Sequence, residues 1–384
     1  MSISVKLRKK GPRKLLALDG GGIRGMISIE VLARIESLLE KELGRDDSFV
    51  LADYFDYVAG TSTGAIIATC VSLGMRMDEI RQFYIDGGPV MFDKARWIQR
   101  FHYKFEDEKL ANRLKEVIGE HTTLGSDKLR TLLLLILRNA TTDSPWPVSN
   151  NPTAKYNQPG RTDSNLNLPL WQLVRASTAA PTYFPPEVIT VGSHKFTFVD
   201  GGVTMYNNPA FQLFLMATVA PYNLGWSAGE REMLLVSLGT GTSPGANLDL
   251  APDQMNLIYN ATSIPSALMF AASNEQDFLC RVFGKCRAGD PIDREVGDMM
   301  GLPDDTSDQE TVKIKGPLQA KLFTYMRYNA ELTREGLDAV GLSHIKPENV
   351  QRLDSVEHIA ELQEVGRAVA QKKVKKEDFA GFPL

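Results

Sequence analysis

Ser62 stands in Gly60-Thr61-Ser62-Thr63-Gly64, after a short apolar strand that ends at Gly60 and before an apolar helix that Gly64 opens. Strand, sharp turn and helix in that order read as a nucleophile elbow, in which side chains at the two flanking glycine positions would collide with the neighbouring strand and helix. The same spacing also suits a plain glycine-rich turn, so the chemistry has to be sought elsewhere in the chain as well. An elbow would lift the Ser62 hydroxyl clear of the sheet at a helix N-terminus, where free N–H groups favour developing negative charge. A serine needs a base to become nucleophilic. None of the five histidines, His102, His121, His194, His344 and His358, sits in a glycine-rich turn after a strand. His194 lies six residues before Asp200, and the rise of an extended strand over that distance would separate them by roughly 20 Å. Asp200 sits at a strand end beside Gly201 and Gly202, which permit close approach. The reading is therefore a Ser62–Asp200 dyad. With a reference pKa near 3.9 such a base is weak, so an oxyanion hole must carry more of the barrier.

The loop Asp19-Gly20-Gly21-Gly22-Ile23-Arg24-Gly25 can supply that hole, because consecutive glycines let main-chain N–H groups face a substrate oxygen unobstructed. Arg24 would hold the loop or meet a phosphate. Gly20 to Gly25 also fits G-x-G-x-x-G, a dinucleotide fingerprint. That use wants a second strand ending in an acidic residue about 20 residues on. Here that distance is still helix and polar loop, and the next strand ends in the serine elbow.

The elements that must position these groups alternate. Lys14 to Leu18 reads as a buried first strand, and Ile27, Val31, Ile35, Leu38 and Leu39 recur at helical spacing after the glycine loop. A short helical segment near Leu51 to Phe55 precedes the elbow, and Met77 to Ile85 reads as a helix closed by Gly87-Gly88-Pro89. Arg130 to Arg138 reads as a central strand, Asn139 to Leu168 as a polar surface excursion, Leu170 to Thr178 as a helix, and Phe196 to Val199 and Met233 to Leu238 as strands. The three glycine-rich turns would then open on one edge of a mostly parallel sheet covered on both faces. Beyond residue 245 the pattern weakens into helices and loops, ending in a helix from Val356 to Val374. The expected division is a basic segment 1–13, a catalytic domain 14–244 and a mostly helical extension 245–384 packed on it. Lys94 to Phe105 interleaves Arg96, Arg100 and Lys104 with Trp97, Phe101 and Tyr103. That mixture suits a membrane interface or an active-site lid; the alternative is ordinary core aromatics with solvated charges.

A net charge of −4 gives no global attraction to nucleic acid or an anionic membrane, so no DNA or RNA duplex is expected as partner. The three cysteines form no C-x-x-C pair, and no apolar run approaches a membrane span. A soluble, cytoplasmic protein is expected, one that would meet any lipid from outside the bilayer.

Asp-Gly-Gly-Gly-Ile-Arg-Gly, Gly-Thr-Ser-Thr-Gly, Asp-Gly-Gly and the segment Arg175 to Pro185 together resemble the patatin-like phospholipases, over roughly Lys14 to Gly241. The resemblance implies a three-layer α/β/α fold and hydrolysis of membrane glycerophospholipid esters. It assigns Ser62 as nucleophile, Asp200 as base and the main chain around Gly21, Gly22 and Ile23 as oxyanion hole, with no metal and no cofactor. Gly20, Arg24, Gly25, Gly60, Gly64, Gly201 and Gly202 then act as motif support. Length and cytoplasmic character resemble bacterial members, some of them similar to cyclic-nucleotide-activated effectors of anti-phage (CBASS) signalling. That similarity implies action at the inner membrane surface, a cyclic di- or trinucleotide activator, and a homo-oligomer. Arg281, Lys285 and Arg287 would meet the nucleotide, or form a solvated face. A non-phospholipid esterase or thioesterase, and a nucleotide-binding module using Gly20 to Gly25, are the alternatives.

Overall fold

The computed structural model describes residues 3–92, 103–158, 160–181, 184–243, 257–292 and 320–383. The segment Lys94 to Phe105 falls largely on residues 93–102, outside the described residues, as do Thr182 and Tyr183 of the Arg175 to Pro185 segment.

Among the described residues nine strands form one sheet: β1 Arg13–Leu18, β2 Tyr57–Thr61, β3 Leu132–Asn139, β4 Ser144–Ser149, β5 Glu187–Val191, β6 His194–Asp200, β7 Met233–Leu238, β8 Lys285–Ala288 and β9 Thr324–Tyr328. Their order is β5-β6-β3-β2-β1-β7-β9-β8, with β4 also paired to β3. The six from β3 to β8 along this order run parallel. The central strands carry apolar side chains on both faces over runs such as Leu15 to Leu18, Tyr57 to Ala59 and Leu132 to Leu137, because strand alternation sends successive side chains into two cores. Leu16, Leu18, Val58, Leu133 and Leu135 meet the helices Gly25–Glu42, Thr63–Ser72 and Ile359–Lys373 on one face. Leu15, Ala17, Tyr57, Ala59, Leu132 and Leu134 meet the helix Ala210–Thr218 and Cys280 on the other. The result is a three-layer α/β/α arrangement with a mostly parallel sheet.

Three expectations are corrected. The helix Met77–Met91 continues through Gly87-Gly88-Pro89 instead of ending there. Packing overrides the local breaker: Gly88 lies so close to Ile23 that a Cβ would stand 2.9 Å from its Cδ1, and Phe92 N–H closes the turn on Gly88 O at 3.0 Å. The excursion after Asn139 begins with β4, an antiparallel return along β3 that Pro145 and Pro147 obscure in the sequence. Beyond residue 245 the expected helices are present, as Leu257–Phe283 and Ile359–Lys373, but the sheet also continues there with β8 and β9, where β8 is only four residues long and β9 carries Arg327 inside its run.

The third glycine turn reaches the others by a different route from the expected parallel one. β3 overhangs β2: Leu132 to Ile136 pair with β2, and Leu137 to Asn139 pair with β6, which runs antiparallel. β4 occupies the opposite edge of β3. Thus β2 and β6 share one edge of β3 and meet end to end, C-terminus against C-terminus. The strand carrying the serine and the strand carrying the aspartate stop at the same place because neither can pass the other.

Candidate active site

The elbow is built as its glycine spacing requires. Ser62 has φ 55° and ψ −123°, a strained conformation for a non-glycine residue, immediately before the helix Thr63–Ser72. A Cβ on Gly60 would stand 2.0 Å from Gly64 O, and one on Gly64 would stand 2.2 Å from Leu18 O. Ser177 holds the turn from beneath: its hydroxyl accepts Ser62 N–H at 3.0 Å and donates to Ile136 O at 2.6 Å. Thr61 donates its hydroxyl to Tyr206 O at 2.7 Å.

Ser62 Oγ donates to Asp200 Oδ2 at 2.6 Å. The other carboxylate oxygen, Oδ1, accepts Gly202 N–H at 2.6 Å, and Asp200 N–H is tied to Ala179 O at 3.0 Å, so the carboxylate is fixed from both sides. A Cβ on Gly201 would stand 2.2 Å from Ile136 O, which is what seats this turn against β3. Burial pushes the Asp200 carboxyl up from 3.8 to about 6, against the smaller opposing effects of the Ser62 hydroxyl and the Gly202 amide. The Asp200 carboxyl therefore holds a proton more tightly than its reference value implies. Among the described residues no histidine joins the pair: His194 sits at the far end of β6, His344 meets Glu364, and His358 meets Glu361.

The glycine loop lies directly over Ser62, since a Cβ on Gly20 would stand 3.3 Å from Ser62 Cβ. Every anchor of the loop comes from another part of the chain. Asp19 is gripped by buried Arg327 of β9 through two bonds of 2.9 and 2.5 Å, and Arg327 also donates to Ser237 Oγ at 2.7 Å. The carboxylate holds the Arg327 guanidinium firmly protonated. Gly20 N–H donates to Asn207 O at 3.1 Å, and Gly20 O accepts the Thr240 hydroxyl at 2.9 Å. A strap formed by Gln351 to Leu353 completes the hold: Leu353 O accepts Ile23 N–H at 3.0 Å, and Gln351 O accepts Arg24 Nη1 at 3.1 Å. Of the three expected oxyanion groups, the Ile23 amide is thus already engaged, while the amides of Gly21 and Gly22 have no partner among the described residues. Gly25 begins the helix Gly25–Glu42 with its α-carbon against Thr63, where a Cβ would meet Thr63 Oγ1 at 2.4 Å.

The supporting groups Ser177, Asn207, Arg327 and Leu353 were missed from sequence. Ser177 lies inside the Arg175 to Pro185 segment, and that segment was the one signal available for any of them. The cations expected to face a nucleotide are engaged within the chain. Arg281 pairs with Asp277 at 3.0 Å, Lys285 lies 3.6 Å from Glu230, and Arg287 donates to the Asp378 and Ala380 carbonyls.

The family profile of the patatin-like phospholipases matches residues 16–214, a span that includes the glycine loop, the elbow and Asp200. Patatin group D-3 from Solanum tuberosum is 30% identical over 249 residues, covering 60% of each chain. Patatin-like protein 4 from Arabidopsis thaliana is 30% identical over 249 residues, covering 60% of this chain and 59% of its own. The chain spans about 60% of the length of the curated relatives it matches. Among solved structures, VipD from Legionella pneumophila aligns over 98% of this chain and 72% of its own, with a TM-score of 0.40 and 13% identity. On the strength of the matched profile, this chain belongs to the patatin-like phospholipase family.

Proposed function

We propose that the chain is a serine acyl hydrolase of the phospholipase A type, acting on fatty-acyl esters of membrane glycerophospholipids. The observation that carries this reading is the 2.6 Å contact between Ser62 Oγ, on a strained elbow, and a buried Asp200. Asp200 takes the hydroxyl proton as Oγ bonds to the ester carbonyl carbon, and the Gly21 and Gly22 amides receive the negative charge that forms on the carbonyl oxygen. The tetrahedral adduct collapses by breaking the carbon–oxygen bond to the lysolipid, which leaves with the proton that Asp200 returns. Water then enters, gives its proton to the same carboxylate and cleaves the acyl-enzyme, restoring Ser62. The main-chain turns at Gly20, Gly25, Gly60, Gly64, Gly201 and Gly202 bring these groups together.

A lipid surface as partner is supported by exposed apolar side chains around the site. Val203 and Met205 follow the Asp200 turn, and Leu268 and Phe270 are exposed on the helix Leu257–Phe283, whose Met269 lies against Gly202. The enzyme is proposed to visit the inner membrane surface from the cytoplasm; among the described residues no helix is long and apolar enough to cross a membrane. Activation by a cyclic oligonucleotide in antiviral defence gains no support from Arg281, Lys285 and Arg287, which the chain itself engages. The nucleotide-binding reading of Gly20 to Gly25 gains none either, with Leu353 O packed onto the loop.

A pH profile tests the base. With a soluble p-nitrophenyl ester, kcat/KM is expected to fall about tenfold per pH unit below about 6 and to level off above it. A profile flat down to pH 4, or one with its midpoint near 7 that disappears when a histidine is replaced, would remove Asp200 from this role.

A further inference from the structure

A cleft of about 400 Å³ opens on the side of the glycine loop that faces the strap, bounded by Gly20, Arg24, Asn207, Thr240 and Leu353. Two of its ionisable groups differ in kind. Asp19 is neutralised by its bidentate pairing with Arg327, whereas Arg24 meets no carboxylate among the described residues. Among the described residues the Arg24 guanidinium spends only Nη1, on the Gln351 carbonyl, and its buried Nε has no hydrogen-bond partner. Asn207 is 5% exposed and uses its Nδ2 on Ser273 Oγ at 3.0 Å, leaving Oδ1 buried and without a partner among the described residues. That oxygen would stand 2.4 Å from a Cβ on Gly20, so it lies where the cleft meets the catalytic loop. Buried polar atoms left unmatched forfeit their hydration without replacing it and point to a missing partner.

From this pairing of an unspent guanidinium and an unspent acceptor, we infer that the cleft binds a phosphate ester that also carries a hydroxyl or ammonium donor. The phosphate oxygens take Arg24, and the donor takes Asn207 Oδ1. Two sources share that chemistry. One is the headgroup of the phospholipid being cut, which deepens the function proposed above and rests on it. The other is a free phosphorylated small molecule acting beside the site. In either case the ligand shares Arg24 with the strap, and so touches the loop that presents the oxyanion amides.

Binding can be read without catalysis. Full-length protein carrying Ser62→Ala is titrated by calorimetry with glycerol 1-phosphate, inorganic phosphate and glycerol. The expected result is saturable binding of glycerol 1-phosphate, weaker binding of phosphate and none of glycerol, with Arg24→Gln reducing affinity by about tenfold or more. Ala267 lines the exposed rim without offering a polar contact, so Ala267→Glu adds repulsion while leaving the fold and the dyad alone. It should weaken glycerol 1-phosphate by a similar factor.

Kinetics with active Ala267→Glu then identifies the source. A raised KM for phosphatidylglycerol vesicles, with turnover of a neutral soluble ester unchanged and glycerol 1-phosphate competing with the vesicles, assigns the site to the headgroup. A change in soluble-ester turnover on adding glycerol 1-phosphate, without competition, assigns it to a free ligand. Absence of saturable binding at 10 mM, on the order of the weakest specific affinities, overturns the inference. So does binding that Arg24→Gln and Ala267→Glu both leave intact. These outcomes are independent of whether Ser62 proves to be a nucleophile.

Discussion

Asparagine in place of Asp200 is expected to lower kcat/KM for a soluble ester by on the order of 10²–10⁴-fold and, in the same variant, to make the fold more stable at pH 8. The two effects have one cause. Asp200 is buried, and its folded-state pKa is raised from 3.8 to about 6. A carboxyl that holds its proton more tightly folded than unfolded contributes most to stability below pH 4, and that contribution is lost as pH rises through about 6. Above pH 6 the ionised carboxylate costs the fold at most about 3 kcal/mol, which a neutral asparagine does not. Asparagine can still accept Gly202 N–H and place its NH₂ against Ser62 Oγ. Urea melts at pH 4 and pH 8 provide the check: little difference from wild type at pH 4 and a gain at pH 8 are expected. A loss of stability at both, or near-normal turnover, would contradict the assignment.

Gly22→Ala is the second large effect. Gly22 has φ +59°, and a Cβ there would stand 2.2 Å from Leu353 O, a main-chain atom that cannot swing aside as a side chain would. Either the strap or the loop must move, and the Gly21 and Gly22 amides move with it. A loss of about 100 to 1000-fold in kcat, with much less change in KM, is expected for misplaced oxyanion donors. Gly44 provides the control, having the same φ of +59° with nothing within 4 Å of its Cβ position. Gly44→Ala should cost about 1 kcal/mol of stability from backbone strain and leave kcat unchanged. Equal effects of the two substitutions on kcat would show that the strap contact is irrelevant to the reaction.

What could be read from sequence was what is local. The elbow is local: Gly60 and Gly64 are dictated by contacts with Gly64 O and Leu18 O, atoms within the same strand, turn and helix or the strand beside them. Asp200 was legible because two glycines follow it at a strand end, although its route to Ser62 was not. The end-to-end meeting of β2 and β6 depends on β3 being longer than β2, and pairing lengths leave no mark in a local pattern. The third glycine of the loop looked like part of a phosphate or oxyanion turn, yet its closest neighbour is Leu353, 331 positions away in the chain. Arg327 was invisible for a related reason: a charge inside a strand breaks the apolar run that marks a buried strand, and only its partner Asp19 makes that burial tolerable. Pro89 shows the converse, a strong local breaker overruled by packing.

The central claim is that Ser62 is made nucleophilic by Asp200, and covalent labelling tests it most directly. Full-length protein treated with a fluorophosphonate probe above pH 6, then digested and read by mass spectrometry, should carry the adduct on the Ser62 peptide. Ser62→Ala should carry none, and Asp200→Asn should label far more slowly than wild type. Label on another residue, or a rate in Asp200→Asn equal to wild type, would contradict the account.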